Sequence, residues 1–164
     1  MKNKIVISDY VPSDRPELLR MLIELHSNYF KQTSLKQVYE LREDKDIRSS
    51  YSEYLDGIEQ TDLRNWKILI AKSGTLTAGF IIGSIKTDHS MVFGKTGEIE
   101  DWFVEEKFRG NGLGSELYAL LEKWFIKNKC DQVISATWEG NDLSIKVHEK
   151  TGFFKTGIKL AKKL

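Results

Sequence analysis

The run Val104-Glu105-Glu106-Lys107-Phe108-Arg109-Gly110-Asn111-Gly112-Leu113-Gly114-Ser115 sets three glycines where an extended apolar segment hands over to an amphipathic helix. Beyond it, apolar residues recur at Leu113, Leu117, Leu120, Leu121, Trp124 and Phe125, the spacing of one buried helical face. The glycines therefore fall at a helix N-terminus, where the first backbone N–H groups have no intrahelical partner and the helix dipole favours negative charge. Glycine removes the Cβ from that approach and permits the positive φ angles that aim successive N–H groups at one point. A strand, an anion-binding turn and a helix in succession direct the chain toward an α/β arrangement.

Elimination narrows the anion. The Walker pattern, with Gly-Lys-Ser/Thr closing its glycine loop, does not occur in the chain. The dinucleotide fingerprint G-x-G-x-x-G follows a first strand directly, whereas here G-x-G-x-G stands late in the chain behind a Glu-Glu-Lys insert.

The remaining segments read in order. Lys4-Ile-Val-Ile7 is β-prone and ends before Pro12-Ser-Asp-Arg-Pro16, a turn and helix start with Ser13 or Asp14 as cap. Leu18, Leu19, Leu22, Ile23 and Leu25 follow at helical spacing, then a polar stretch from Lys31 to Lys45, then Ile47, Tyr51, Tyr54, Leu55 and Ile58 on a second amphipathic helix. Trp66–Ala71 and Ala78–Ile85 predict a hairpin about a Ser73-Gly74 turn, with a loop over Lys86–Lys95 before a central strand over Glu98–Val104. Past the glycine helix come a strand over Gln132–Trp138, a short helix over Asn141–Lys150 and a last strand over Phe153–Leu160. The resulting order, β-α-α-β-β-β-α-β-α-β, predicts a mixed sheet with helices on both faces.

Length and charge agree with this organisation. The 164 residues match one domain, here taken as 1–164, which buries roughly two thirds of its unfolded surface. With 25 Lys+Arg against 24 Asp+Glu, the composition gives no sign of a nucleic-acid-binding surface. The Lys-rich segment from Lys155 to Lys163 is the basic cluster, suited to solvating an edge strand. The single Cys130 forbids an intrachain disulfide and reads as a small apolar residue. With no span-length apolar run and no signal-peptide core, the expected location is the cytoplasm, away from membranes.

Arg109, Gly112 and Gly114 satisfy Arg/Gln-x-x-Gly-x-Gly/Ala, and the run resembles the acetyl-CoA motif of the GNAT N-acetyltransferases. The resemblance extends to Glu98-Ile-Glu-Asp-Trp-Phe-Val104, similar to the family's central strand. Downstream, Asn141-Asp-Leu-Ser-Ile-Lys-Val-His-Glu-Lys-Thr-Gly-Phe153 resembles Asn-x-x-Ala-x-x-x-Tyr-x-x-x-Gly-Phe. Ser144 stands where the family has alanine, and His148 where it has tyrosine. The similarity covers roughly residues 97 to 155. It implies an α+β fold of the GNAT type: a mostly antiparallel mixed sheet whose central strand is splayed from its neighbour by a bulge, opening backbone to a pantetheine arm. It also implies acetyl-CoA as cosubstrate, no metal, a small amine as partner and, as in many members, a homodimer. The implied cofactor contacts are Phe103, Val104, Arg109, Gly110, Asn111, Gly112, Gly114, Ser115 and Asn141. Asn141 reads equally as a helix N-cap, and Arg109 equally as a loop orienter paired with Glu105 or Glu106.

Acetyl transfer to an amine needs the amine neutral, the carbonyl polarised and the leaving thiolate protonated. An ammonium titrating near about 10 must lose its proton to a carboxylate or an ordered water. Glu98, Glu100 and Asp101 are the carboxylates on the central strand. Alternation groups Glu98 and Glu100 with Trp102, and Asp101 with Ile99 and Phe103. A bulge would break that grouping, which leaves Glu100 and Asp101 both open as the base. The tyrosine that resemblance assigns as acid is absent; His148 stands in its position, and imidazole can do the same work near neutrality.

The acceptor is less sharply marked. The strand with its glycine run and Trp138-Glu139-x-Asn141 resembles diamine and polyamine acetyltransferases, while Lys146-Val-His-Glu-Lys-x-Gly-Phe153 resembles aminoglycoside 6'-N-acetyltransferases. Both imply a small polycationic amine. A protein N-terminal or lysine acetyltransferase and a non-catalytic CoA-binding module are the alternatives.

Overall fold

The computed structural model describes residues 4–32, 44–61, 63–90, 92–138 and 140–157. Its elements are β1 (Ile5–Asp9), α1 (Arg15–Gln32), α2 (Asp44–Gln60), β2 (Trp66–Ser73), β3 (Leu76–Thr87), β4 (Lys95–Val104), α3 (Leu113–Lys127), β5 (Gln132–Ser135) and α4 (Asp142–Lys150). Among the described residues the strands form one sheet in the order β1-β2-β3-β4-β5. Neighbours are antiparallel as far as β4, and β5 joins β4 in parallel through the crossover helix α3.

Both faces of the central strands are apolar, which is why they sit inside the molecule. Ile68, Ile70, Phe80, Ile82 and Phe103 face Leu18, Met21 and Leu22 of α1 and Leu55 and Ile58 of α2. On the opposite face Leu69, Ala71, Ile81, Ile85 and Ile99 meet Leu113, Leu117, Tyr118, Leu121 and Phe125 of α3. Gly83 and Gly97 allow α3 its close approach. A Cβ on Gly83 would lie 2.8 Å from Leu121, and one on Gly97 would lie 2.6 Å from the Phe125 ring.

Asp14 does not act as the expected cap of α1; its carboxylate reaches back to the turn before the helix. It ends a 3-10 turn over Pro12–Asp14 and accepts from the Val11 N–H at 3.1 Å, while its other oxygen meets Lys72 Nζ of β2. The helix pair is tied by Arg15, which donates to Asp56 at 2.6 Å and Glu59 at 2.8 Å on α2.

The structure departs from the sequence reading in four places. The hairpin strands and β4 run longer than expected, to Ser73, Thr87 and back to Lys95, because ladder pairing carries polar ends that composition reads as loop. Leu120 of α3 is exposed, lying off the stripe that meets the sheet. The strand expected over Gln132–Trp138 stops at Ser135, where its pairing with β4 ends. Residues 153–157 carry no strand, and the rest of the expected last strand, like most of the Lys31–Lys45 stretch, lies outside the described residues.

Candidate active site

The site begins with one extra residue in β4. Ile82 of β3 pairs with Asp101 and Gly83 pairs with Ile99, so Glu100 is the unmatched residue of a β-bulge. The bulge resets the alternation. Ile99 faces α3, yet Trp102 and Val104 face α3 as well, while Asp101 and Phe103 face α1 and α2. Glu100 turns to the α1/α2 face too, where it accepts from Ser84 Oγ at 2.5 Å. The grouping expected from strict alternation, Glu100 with Trp102 and Asp101 with Ile99, is therefore corrected. Glu98, Glu100 and Asp101 share one face.

Their surroundings differ. Lys86 Nζ contacts Glu98 and lies 3.6 Å from Glu100, and these side chains remain partly open to solvent. Asp101 lies deeper and accepts from Tyr54 Oη of α2 at 3.1 Å. Burial pushes the Asp101 carboxyl up to about 6 from 3.8; the Glu100 charge adds to the rise and the tyrosine hydrogen bond opposes it. Burial, with the Asp101 charge beside them, also drives the Tyr54 and Tyr51 hydroxyls far above the ordinary range, so both are neutral donors. Tyr51 stacks edge-on to Tyr54 and lies 3.4 Å from His26 Nδ1. His26, Ile47, Ser50, Tyr51 and Tyr54 line a hollow of about 310 Å³ beside these carboxylates' helix partner. Neither tyrosine entered the sequence reading except as an apolar position of α2. The signal was their chemistry: a buried tyrosine seeks a partner for its hydroxyl.

Pairing of β4 with β5 ends at Ile99 opposite Ser135, so from Glu100 to Val104 the β5-facing edge of β4 has no strand partner among the described residues. Beyond that edge the chain turns through Glu106–Phe108 into the glycine loop. Gly110 and Gly112 have φ of 80° and 81°, and a Cβ on either would meet nothing within 4 Å. Conformation, not crowding, requires glycine here, and the space above the loop is open. Gly112 is the N-cap of α3 and offers no side-chain cap; the first helical bond runs from Glu116 N–H to Gly112 O. The N–H groups of residues 113–115 precede it and point out of the helix end. Ser115 and Asn111 are exposed at this rim, and Asn111 Nδ2 donates to Arg109 O at 3.2 Å. Gly114 sits against the Trp102 ring, at 3.5 Å from where its Cβ would be.

Arg109 orients the loop, though not by the expected ion pair. Its Nε donates to Val104 O at 2.8 Å and its guanidinium lies 5.7 Å from the Phe103 ring centre. Glu105 is instead taken by Arg20 of α1. Phe103 is buried, so what it offers a ligand is backbone, and Val104 packs into the α3 core.

His148 stands on the other face of β4 from the carboxylates. Its ring lies edge-on to Trp102 at 5.3 Å and to Phe153 at 5.2 Å. Nδ1 is 2.7 Å from Ser144 O, one turn back on α4, and Nε2 is 2.8 Å from Ser135 Oγ. Ser135, the last residue of β5, entered the sequence reading only as a position in the strand over Gln132–Trp138, since a lone serine at a strand end carries no signal. Asn141 is the N-cap of α4: its side chain accepts from Ser144 N–H at 3.3 Å and donates to Thr137 Oγ1 at 3.2 Å.

The fold that carries these features is shared with known proteins. Over 108 residues the chain is 30% identical to "Aminoglycoside N(6')-acetyltransferase type 1" of Salmonella typhimurium, covering 62% of this chain and 71% of that protein. In three dimensions it resembles AAC(6')-Iy in complex with the bisubstrate analog CoA-S-monomethyl-acetylneamine, with a TM-score of 0.67, 23% identity and 98% of each chain covered. Glucosamine-6-phosphate N-acetyltransferase from Arabidopsis thaliana gives a TM-score of 0.66 at 22% identity, with 97% of each chain covered. Residues 21–153 match the Acetyltransferase (GNAT) family, and this chain belongs to that family as an acetyltransferase enzyme.

Proposed function

We propose that the enzyme transfers acetyl from acetyl-CoA to a primary amine of a small polycationic acceptor, by direct attack with both substrates bound. The observation that carries this reading is the bulge at Glu100, which collects Glu98, Glu100 and Asp101 on one face beside the unpaired edge of β4. Three carboxylates on one face of the strand favour an acceptor with several ammonium groups. The aminoglycoside acetyltransferase relative supports the same class.

The cosubstrate fit rests on two local features. The open, positive-φ glycine loop at the start of α3 presents N–H groups suited to phosphates, and the free edge of β4 presents backbone suited to the amides of a pantetheine arm. When bound, acetyl-CoA supplies the activated acyl group. The chain's own residues then divide the work. Asp101 takes the ammonium proton, directly or through water; its raised carboxyl suits a base working near neutrality. Tyr54 holds that carboxylate in place. Glu98 and Glu100 draw in the acceptor's cationic groups, competing with Lys86 for them. His148 supplies the proton to the departing sulfur from the opposite face of the strand.

Turnover with a panel of aminoglycosides, spermidine-type polyamines and lysine peptides tests the acceptor class. Acetylation of the small polyamines or aminoglycosides with no peptide activity is expected; peptide-only activity overturns the reading. Within the panel, Asp101→Asn should lower kcat by about a hundredfold or more, with recovery at higher pH as free amine accumulates. Glu100→Gln should chiefly raise KM for the acceptor.

A further inference from the structure

The His148 ring has only one nitrogen able to release a proton. Nδ1 faces the Ser144 carbonyl at 2.7 Å, with the Ser144 hydroxyl farther off at 3.3 Å; a carbonyl can only accept, so the shorter contact keeps the hydrogen on Nδ1. Nε2 is the nitrogen that gains and loses a proton, and Ser135 Oγ occupies its hydrogen-bonding direction at 2.8 Å. Edge-on packing by Trp102 and Phe153 fixes the ring between them, so it does not swing past the serine. Ser135 itself closes β5 opposite Ile99, at the fork where β4 continues alone.

We infer that Ser135 is the hydroxyl through which the His148 proton reaches the leaving thiolate, a serine–histidine relay at the fork between β4 and β5. This rests on the reading of His148 as the acid. In the step, the Ser135 O–H bond breaks as the S–H bond forms, and the Nε2–H bond of the imidazolium breaks as the serine O–H is remade. The net change is one proton moved from imidazolium to sulfur. The ring ends neutral with its hydrogen on Nδ1, still bonded to the Ser144 carbonyl. Ser135 is then the residue that touches the reacting sulfur, and His148 recharges it.

Two measurements test the relay. In the first, ring-nitrogen NMR of the labelled enzyme, with His148 assigned by its loss in His148→Ala, follows addition of CoA and of desulfo-CoA. CoA should shift the Nε2 signal, desulfo-CoA should leave it in place, and Ser135→Ala should abolish the CoA effect. Equal shifts from both ligands, or an unchanged CoA effect in Ser135→Ala, overturn the relay.

In the second, Ser135→Ala, His148→Ala and the double variant should each lower kcat by about a hundredfold, with KM for acetyl-CoA unchanged, because they interrupt one path. Ser135→Thr keeps the hydroxyl and should recover most of the rate, which separates lost chemistry from lost folding. Normal turnover in His148→Ala overturns the acid reading itself. A slow His148→Ala beside a normal Ser135→Ala, or additive losses in the double variant, overturns the relay while leaving the acid.

Discussion

Asp101 and Glu100 are neighbours in sequence with the same functional group, yet they experience different surroundings, and burial makes the difference. Because the Asp101 carboxyl titrates near 6 in the folded protein against 3.8 ordinarily, the folded state binds more protons than the unfolded one between those values. Stability contributed by this group is thus present below about pH 4 and lost as pH rises through about 6. Asp101→Asn removes the titration while keeping an acceptor for Tyr54. Denaturant unfolding should show the variant more stable than the parent at pH 8, by on the order of 2 kcal/mol, with the gap closing by pH 4. A gap of constant size would mean that the carboxyl is not held neutral by the fold. Residue identity alone did not separate these two acids. The motif named both, but the partner that buries Asp101 arrives from α2, 47 positions away.

The glycine loop shows which features an element declares locally. Its strand-to-helix position and its place before α3 were both legible, since each depends on neighbours in the chain. Gly110 and Gly112 have the left-handed backbone that the reading required. Side-chain alliances were not legible: Arg109 chose a backbone carbonyl and Phe103 over the two glutamates beside it, because Glu105 was claimed from α1. The same limit hid the end of β5, where divergence from β4 is decided by the sheet and not by the apolar run Val133-Ile134. Acetyl-CoA should raise the melting temperature of the enzyme by mass action. Gly112→Val should eliminate that shift, since a β-branched residue at φ of 81° is strained and the loop must re-form without its N–H array. Equal thermal shifts in both proteins would place the cosubstrate elsewhere.

Across the whole molecule, the sheet keeps two groups of polar side chains on opposite faces. The carboxylates and tyrosines lie toward α1 and α2, while His148 and Ser135 lie toward α3 and α4, and β4 is the wall between them. The element order and the two-layer cover of the sheet were readable because hydrophobic periodicity records them. Which residues of β4 belong to which layer was not, since that turns on a single unmatched position. Glu100 acts as a parity switch: every residue after it faces the side opposite to the one plain counting gives. The offset lies in the count alone, because the extra residue is taken up in the bulge and is not passed along the sheet. Glu100→Ala should fold, and so should a deletion of Glu100: Ile99 and Asp101 then become successive residues opposite Gly83 and Ile82, and Asp101, Trp102, Phe103 and Val104 keep the faces they have now. Circular dichroism and cooperative unfolding should show a native transition for both variants; loss of the transition in the deletion alone would show that the bulge itself is needed to hold β4 in the sheet. The residue that offsets the count along β4 is thus one that the sheet could shed without turning any of its neighbours.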